Sequence, residues 1–223
     1  MRFGVVRFPG SCDEVDAQLA CERVGEAVIL WHGDRDLQGV DAVVIPGGFS
    51  YGDYLRAGAI ARFAPVMESV AAFAADGGMV LGICNGFQVL CEAGLLPGAL
   101  LPNDSLRFVF RQVDLDVVDP DTVFTRACPR ERPLSVPVKH ASGRFYSPAR
   151  TRTGDPVRVV LRYAPGENPN GSQDDIAGIR NEAGNVFGLM PHPEHAVDPL
   201  TGSIDGLSIF ESIRAHLGDR AAA

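Results

Sequence analysis

The stretch Gly78-Met79-Val80-Leu81-Gly82-Ile83-Cys84-Asn85-Gly86-Phe87-Gln88 constrains this chain more than any other. Met79 to Ile83 is a short apolar run set off by Gly77-Gly78, the pattern of a buried strand. Directly after it, Phe87, Val89 and Leu90 take the spacing of a helix's apolar side. A glycine stands two residues before Cys84 and another two residues after it. This spacing predicts a nucleophile elbow, where small neighbours let strand and helix crowd around one strained residue. The elbow puts the cysteine at a helix N-terminus, where the dipole and free N–H groups favour thiolate over thiol. A core cysteine at a strand end is the alternative, because free cysteine is among the most buried residue types.

The rest of the chain predicts an α/β fold around that elbow. Residues 2–8, 27–31 and 42–45 read as strands. Ser11-Cys12-Asp13-Glu14 fits a capping box, with Ser11 as N-cap of a helix carrying Val15, Leu19 and Val24. A helix over about 60–75 leads into the elbow strand. Strands separated by helices predict a mostly parallel, doubly wound, flavodoxin-like sheet. The second half is strand-rich and partly antiparallel, with strands expected at 134–138, 157–163, 176–180 and 186–190 between turn-forming clusters. Phe108 and Phe110 alternate in one phase, Val113, Leu115 and Val117 in the other, which predicts a bulge or bend. A last helix is expected over 205–217, with 221–223 as a frayed tail. Neither a repeat nor a linker interrupts the pattern, so 1–223 is expected to form a single domain.

Charge and composition remove several classes of function. The formal net charge of −8 disfavours nucleic acid or an anionic membrane as partner. Lys139 is the only lysine, so no Walker A loop exists, and no GxGxxG fingerprint occurs either. The five cysteines (Cys12, Cys21, Cys84, Cys91 and Cys128) form no CxxC pair and are odd in number. With no signal-peptide pattern, that predicts a reducing cytoplasm and not a disulfide framework. No apolar run has the length needed to cross a bilayer.

A second motif lies far downstream, at Pro191-His192-Pro193-Glu194-His195. Residues before proline are pushed to extended backbone, which predicts extended Met190 and His192. Two residues apart on an extended chain face the same side, so His192 and Glu194 are expected together. A cysteine nucleophile needs a base, and the base needs a third group to fix its tautomer. His192 with Glu194 supplies both. His192 and His195 could instead be metal ligands, but no HExxH or Cys/His cluster completes a site, and no metal is expected. Pro46-Gly47-Gly48-Phe49-Ser50-Tyr51-Gly52-Asp53, at the end of a predicted strand, is placed where open parallel sheets bind ligands.

Gly82-Ile83-Cys84-Asn85-Gly86-Phe87-Gln88 followed late by Pro191-His192-Pro193-Glu194 resembles the class I (triad) glutamine amidotransferases, over nearly the whole chain. Phe8-Pro9-Gly10-Ser11, the 46–56 loop, Ser105-Leu106-Arg107-Phe108 and Asn168-Pro169-Asn170-Gly171-Ser172 are similar to a purine-biosynthesis branch of that family. The chain departs from the branch at His140-Ala141-Ser142-Gly143-Arg144-Phe145, where a histidine-glycine-glutamate-glycine run is expected. The resemblance implies a glutaminase. Cys84 would attack the side-chain amide of glutamine, with His192 as base and then acid, oriented by Glu194. The N–H of Asn85 and one from Gly47-Gly48 would form the oxyanion hole. Gln88 would position glutamine, with Asn103 and Arg107 as further walls.

The resemblance also implies no cofactor in this chain. ATP and Mg are expected on a large synthetase subunit that binds formylglycinamide ribonucleotide, accompanied by a small third subunit. Tyr51, Tyr54, Arg56 and the strand-rich half are expected to face those partners. Two other readings stay open from the residues alone. One is a stand-alone cysteine hydrolase or γ-glutamyl peptidase, which would turn over steadily without a partner. The other is a non-catalytic regulatory subunit on the same fold.

Overall fold

Strands of a parallel sheet covered on both faces must be apolar throughout, and the first half of this chain supplies several. The computed structural model describes residues 1–148 and 157–222. In order, the first half runs β1 (Arg2–Arg7), α1 (Glu14–Glu22), β2 (Glu26–Trp31), β3 (Ala42–Ile45), α2 (Pro65–Ala75), β4 (Met79–Ile83) and α3 (Asn85–Glu92). Every residue of β3 and β4 is buried. The second half contains β5 (Ala99–Leu101), β6 (Val109–Val117), β7 (Leu134–His140), β8 (Arg144–Tyr146), β9 (Arg158–Tyr163), β10 (Ile176–Arg180), β11 (Val186–Leu189) and α4 (Leu207–Ala222).

Nine strands form one mixed sheet in the order β2-β1-β3-β4-β11-β10-β9-β6-β7. Pairing is parallel from β2 to β11 and antiparallel beyond it. β5 and β8 make a separate two-stranded antiparallel sheet. One pairing positions the chemistry. β11 lies parallel to β4 with Leu189 opposite Ile83, and Cys84 N donates to Leu189 O at 2.8 Å. The ends of two strands a hundred residues apart in sequence therefore emerge side by side, where open α/β sheets bind their ligands.

Four expectations change in the structure. Ser11 caps no helix, because α1 starts only at Glu14 and the Ser11 hydroxyl accepts from Phe8 N instead. Glu14 pairs with Arg7 at 3.1 Å, so the capping box does not form. The helix expected over 60–75 is a 3-10 turn at Ala61–Phe63 and then α2, since Pro65 forces Ala64 into extended backbone. β6 carries no bulge. It pairs with β7 in unbroken register from Val109 to Leu115, and the phase change arises because Phe108 and Phe110 stay exposed while Val113 and Leu115 are buried. Finally, α4 runs on through Ala222, so 221–222 are helical and residue 223 lies outside the described residues. Among the described residues no helix is long and apolar enough to cross a membrane.

Candidate active site

Cys84 sits between β4 and α3 with φ 50° and ψ −105°, a conformation strained for any residue with a Cβ. Its neighbours make the strain possible. A Cβ on Gly82 would lie 2.5 Å from Leu90 Cδ1, and one on Gly86 would strike the Ile45 carbonyl oxygen. The two glycines read from the sequence are therefore the contact points of strand against helix. Cys84 is buried, with Sγ 3.9 Å from the Lys139 carbonyl oxygen.

His192 is fully buried at the end of the chain leaving β11, and its N–H donates to Pro137 O at 2.8 Å. Its Nδ1 is 2.6 Å from Oε1 of Glu194, also buried. The two meet across a 3-10 turn, Pro193–His195, and not along an extended chain as the sequence pattern predicts. Proline is favoured in the first position of a helical turn, and His195 N donates back to His192 O to close it. With Nδ1 committed to Glu194, Nε2 is left buried with no hydrogen-bond partner among the described residues. Burial disfavours the imidazolium, but the Glu194 carboxylate and then the charge of Cys84 outweigh it and raise His192 from 6.5 to about 10. His192 is thus protonated at neutral pH.

Two backbone N–H groups beside Cys84, those of Gly48 and Asn85, have no acceptor among the described residues. Gly48 bridges Ser11 through Phe49 N to Gly10 O (2.8 Å) and Cys12 N to Gly47 O (3.2 Å), which leaves the N–H of Gly48 itself out of the pairing. Asn85 is the first residue of α3, and the first N–H groups of a helix have no intrahelical acceptor. The Asn85 side chain is fully engaged. Its Oδ1 accepts from Ser50 N (3.0 Å), and its Nδ2 donates to Gln88 Oε1 (2.9 Å) and Asp53 Oδ1 (3.2 Å). Gln88 in turn donates to Ser142 O.

A cavity of about 90 Å³ opens on these groups, with Cys84, His192, Gln88, Gly48, Phe49 and Phe108 among its walls. A larger cleft of about 710 Å³, near Met1, Asp41, Gly78 and Arg214, has no nucleophile on its walls. Asn103 and Arg107 are not on the wall of the Cys84 cavity. Asn103 is fully buried and holds the loop behind it, donating to His140 O and Arg107 O (both 2.9 Å) and accepting from Gly143 N (3.0 Å). Arg107 is exposed. Ala141 and Ser142, in the run that departs from the purine branch, do line the cavity.

The structure brings to the site residues to which the sequence patterns assign no part in it. His140 lines the cavity and is buried. Burial, and then the charge of His192, lower it from 6.5 to about 3. Its Nε2 is 2.9 Å from Asn170 Nδ2. Asp13 is buried against Lys139, His192 and His195. The sole lysine was a visible signal, but its partner lies 126 residues away and no local pattern joins them. Atoms of Asp13, His192, Glu194 and His195 able to ligate a metal lie within 4.8 Å of one another. Lys139 Nζ already lies 2.5 Å from Asp13 Oδ1, however, so an ammonium holds the place a cation would take.

Residues 1–206 match the sequence family described as the CobB/CobQ-like glutamine amidotransferase domain. The chain belongs to the glutamine amidotransferase family. Phosphoribosylformylglycinamidine synthase subunit PurQ of Rubrobacter xylanophilus is 59% identical over 218 residues, covering 96% of this chain and 98% of that protein. The subunit of the same name from Salinibacter ruber is 52% identical over 99% of both chains. Within the amidotransferases the chain is a member of this PurQ family. A chain in the structure of PurLQS from Thermotoga maritima superposes with a TM-score of 0.90 at 45% identity, covering 97% of this chain and 98% of that one. A glutamine amidotransferase of Thermotoga maritima, 18% identical with a TM-score of 0.58 and covering 100% and 86%, shares the fold.

Proposed function

We propose that this chain hydrolyses the side-chain amide of glutamine and supplies the ammonia to a synthetase that converts formylglycinamide ribonucleotide to formylglycinamidine ribonucleotide. The observation that carries this is the arrangement around Cys84. A strained cysteine at a helix N-terminus shares one cavity with a histidine whose Nδ1 is locked to a buried carboxylate and whose Nε2 is unpartnered.

Sulfur of Cys84 attacks the amide carbon, and the electron pair moves onto oxygen. The N–H groups of Asn85 and Gly48 receive that oxyanion, each donor being worth about 3 kcal/mol in the transition state. His192 gives its proton to the leaving nitrogen, the C–N bond breaks, and ammonia departs from a glutamyl thioester. Water then attacks the thioester, His192 takes its proton, and the C–S bond breaks to release glutamate. Glu194 keeps Nδ1–H paired throughout, which fixes Nε2 as the atom that moves protons. Gln88, on the cavity wall, helps position the substrate.

The partners are a large subunit that binds ATP and Mg and a small third subunit, and this chain needs no cofactor of its own. The name PurLQS of the structure that superposes so closely supports assembly with other subunits. The docking face is the rim of the cavity. Tyr54, Leu55, Leu106 and Phe110 are each more than 70% exposed and lie within two residues in sequence of the wall residues Asp53 and Phe108, and exposed apolar side chains gathered this way suit an interface. Of the other residues expected to dock, Tyr51 is tied to His32 Nδ1 at 2.7 Å and Arg56 is paired twice with Glu92 at 2.6 Å.

Intact-mass labelling with a diazo-ketone glutamine analogue and peptide mapping tests the reading. The expected result is one adduct on Cys84, lost in Cys84→Ala and accelerated by the synthetase chains. No adduct with those chains present would overturn it.

A further inference from the structure

The hydrolysis above leaves unused a buried carboxylate that stands beside the base, Asp13. Asp13 immediately precedes α1, yet its side chain caps no N–H of that helix and is 3% exposed. It turns inward. Its Oδ1 lies 2.5 Å from Lys139 Nζ and 3.4 Å from His195 Nε2, and its Oδ2 lies 3.6 Å from His192 Nδ1. Gly47 makes the space, because a Cβ there would collide with Asp13 Oδ2 and come within 2.7 Å of His192 Cε1. A buried carboxylate is costly unless paired and hydrogen-bonded, so Lys139, His192 and His195 together account for its position. Lys139 acts at two points. Its carbonyl oxygen is 3.9 Å from Cys84 Sγ while its ammonium holds Asp13, so one residue of β7 touches both the nucleophile and the carboxylate beside the base.

We propose that Asp13 and Lys139 are a positioning pair for the base: Asp13 is a second carboxylate against His192, and Lys139 fixes its distance and screens its charge. The proposal rests on the Cys84–His192 reading given above. Glu194 at 2.6 Å sets the tautomer, and Asp13 at 3.6 Å steadies the same edge of the ring. The groups facing His192 come from every element around it. Glu194 and His195 belong to its own turn, Cys84 to the elbow, His140 and Lys139 to β7, and Asp13 to the approach to α1, with Cys21 of α1 close to Glu194. Burial opposes ionisation of Asp13, but the hydrogen bond from His195 and the charges of His192 and Lys139 hold it well below the usual carboxylate range. Asp13 is therefore an anion wherever the enzyme is folded and His192 is charged.

Histidine-labelled NMR of the full chain tests this, with only five histidines to assign. Removing the Asp13 anion in Asp13→Asn should lower the titration of His192, and removing the screening cation in Lys139→Met should raise it. Each shift should be about one pH unit, the lower end for a charge close to a titrating group. Lys139→Arg, and the double variant Asp13→Asn/Lys139→Met, should return it close to the wild-type value. Glutamine hydrolysis with the synthetase chains present should fall roughly tenfold in both single variants, as a misplaced base predicts. A titration that does not move in either single variant, or moves the same way in both, would overturn the proposal. If Asp13→Asn fails to fold, the sign of the Lys139→Met shift decides. Because the titration is read without glutamine, an inactive wild type would sink the glutaminase reading separately.

Discussion

His140 and His192 are both buried histidines in the same cavity, yet at neutral pH His192 is cationic and His140 neutral. His192, at the end of β11, meets the Glu194 carboxylate at 2.6 Å and is raised to about 10. His140, at the end of β7, meets the Asn170 amide at 2.9 Å and is lowered to about 3. Burial pushes both toward the neutral form, so burial does not separate them. The partner does. The Asn170 amide can donate only from Nδ2, which also faces Gly143 O at 2.9 Å and, more distantly, Tyr163 OH at 3.4 Å, and its Oδ1 accepts from Ser172 N at 2.9 Å. His140 Nε2 is therefore an acceptor, and its proton sits on Nδ1. One imidazole is prepared to move protons and the other to hold a fixed shape.

The largest test of that contrast is deletion of each ring. His192→Ala should reduce glutamine hydrolysis on the order of 10⁴-fold or more, as loss of a triad base does. His140→Gln should cost no more than about 10-fold, the scale of a misplaced wall. Equal losses in the steady-state rate would erase the distinction. Next, Glu194→Gln keeps the shape of the partner but removes its charge. It should slow hydrolysis by roughly 10⁴-fold and lower the His192 titration toward that of His140, which NMR would detect. The converse variant, Asn170→Asp, gives His140 a carboxylate and should raise its titration by about 1–3 units, with Cys84 labelling largely retained.

The smallest effect is on stability against pH. His192 binds its proton more tightly folded than unfolded, so its contribution is complete below about 6.5 and lost as pH rises through about 10. His140 behaves the other way. It resists protonation when folded, so stability is lost as pH falls from 6.5 toward about 3. Asp13, held below the usual carboxylate range, adds to the acid loss once pH falls below about 3.8. Melting temperature should therefore decline on both sides of about pH 6.5. Glu194→Gln should flatten only the alkaline side, and Asn170→Asp only the acid side from His140. A single limb that responds to both variants would contradict the assignment.

These contrasts mark what could be read from the residues in order. The elbow was legible because strand, turn and helix are adjacent in sequence, and because Gly82 and Gly86 answer steric contacts within a few residues or at the next strand. β4 and β3 were legible because strands buried on both faces are apolar throughout. The His192–Glu194 pair was legible as a pair although the reason was not, since a 3-10 turn and not an extended strand brings the two together. Misreadings fell where a local pattern had a rival. Ser11 had an alternative donor in Phe8 N, and the two phases of β6 were two faces of one regular strand.

The sequence by itself determined a strained cysteine after a buried strand, a histidine with a carboxylate two residues later, and the α/β alternation that carries them. These are properties of backbone sterics and of hydrophobic period, both of which act over a few residues. Only the tertiary structure decided that β11 lies beside β4, that β7, last in the sheet order, returns to meet the turn at His192, and that Lys139 reaches Asp13. It also decided that Gln88 and not Asn103 lines the cavity, and which of two histidines keeps its proton. Those outcomes depend on burial and on charges brought within a few ångströms from distant parts of the chain, and such energies exist only once the sheet has assembled.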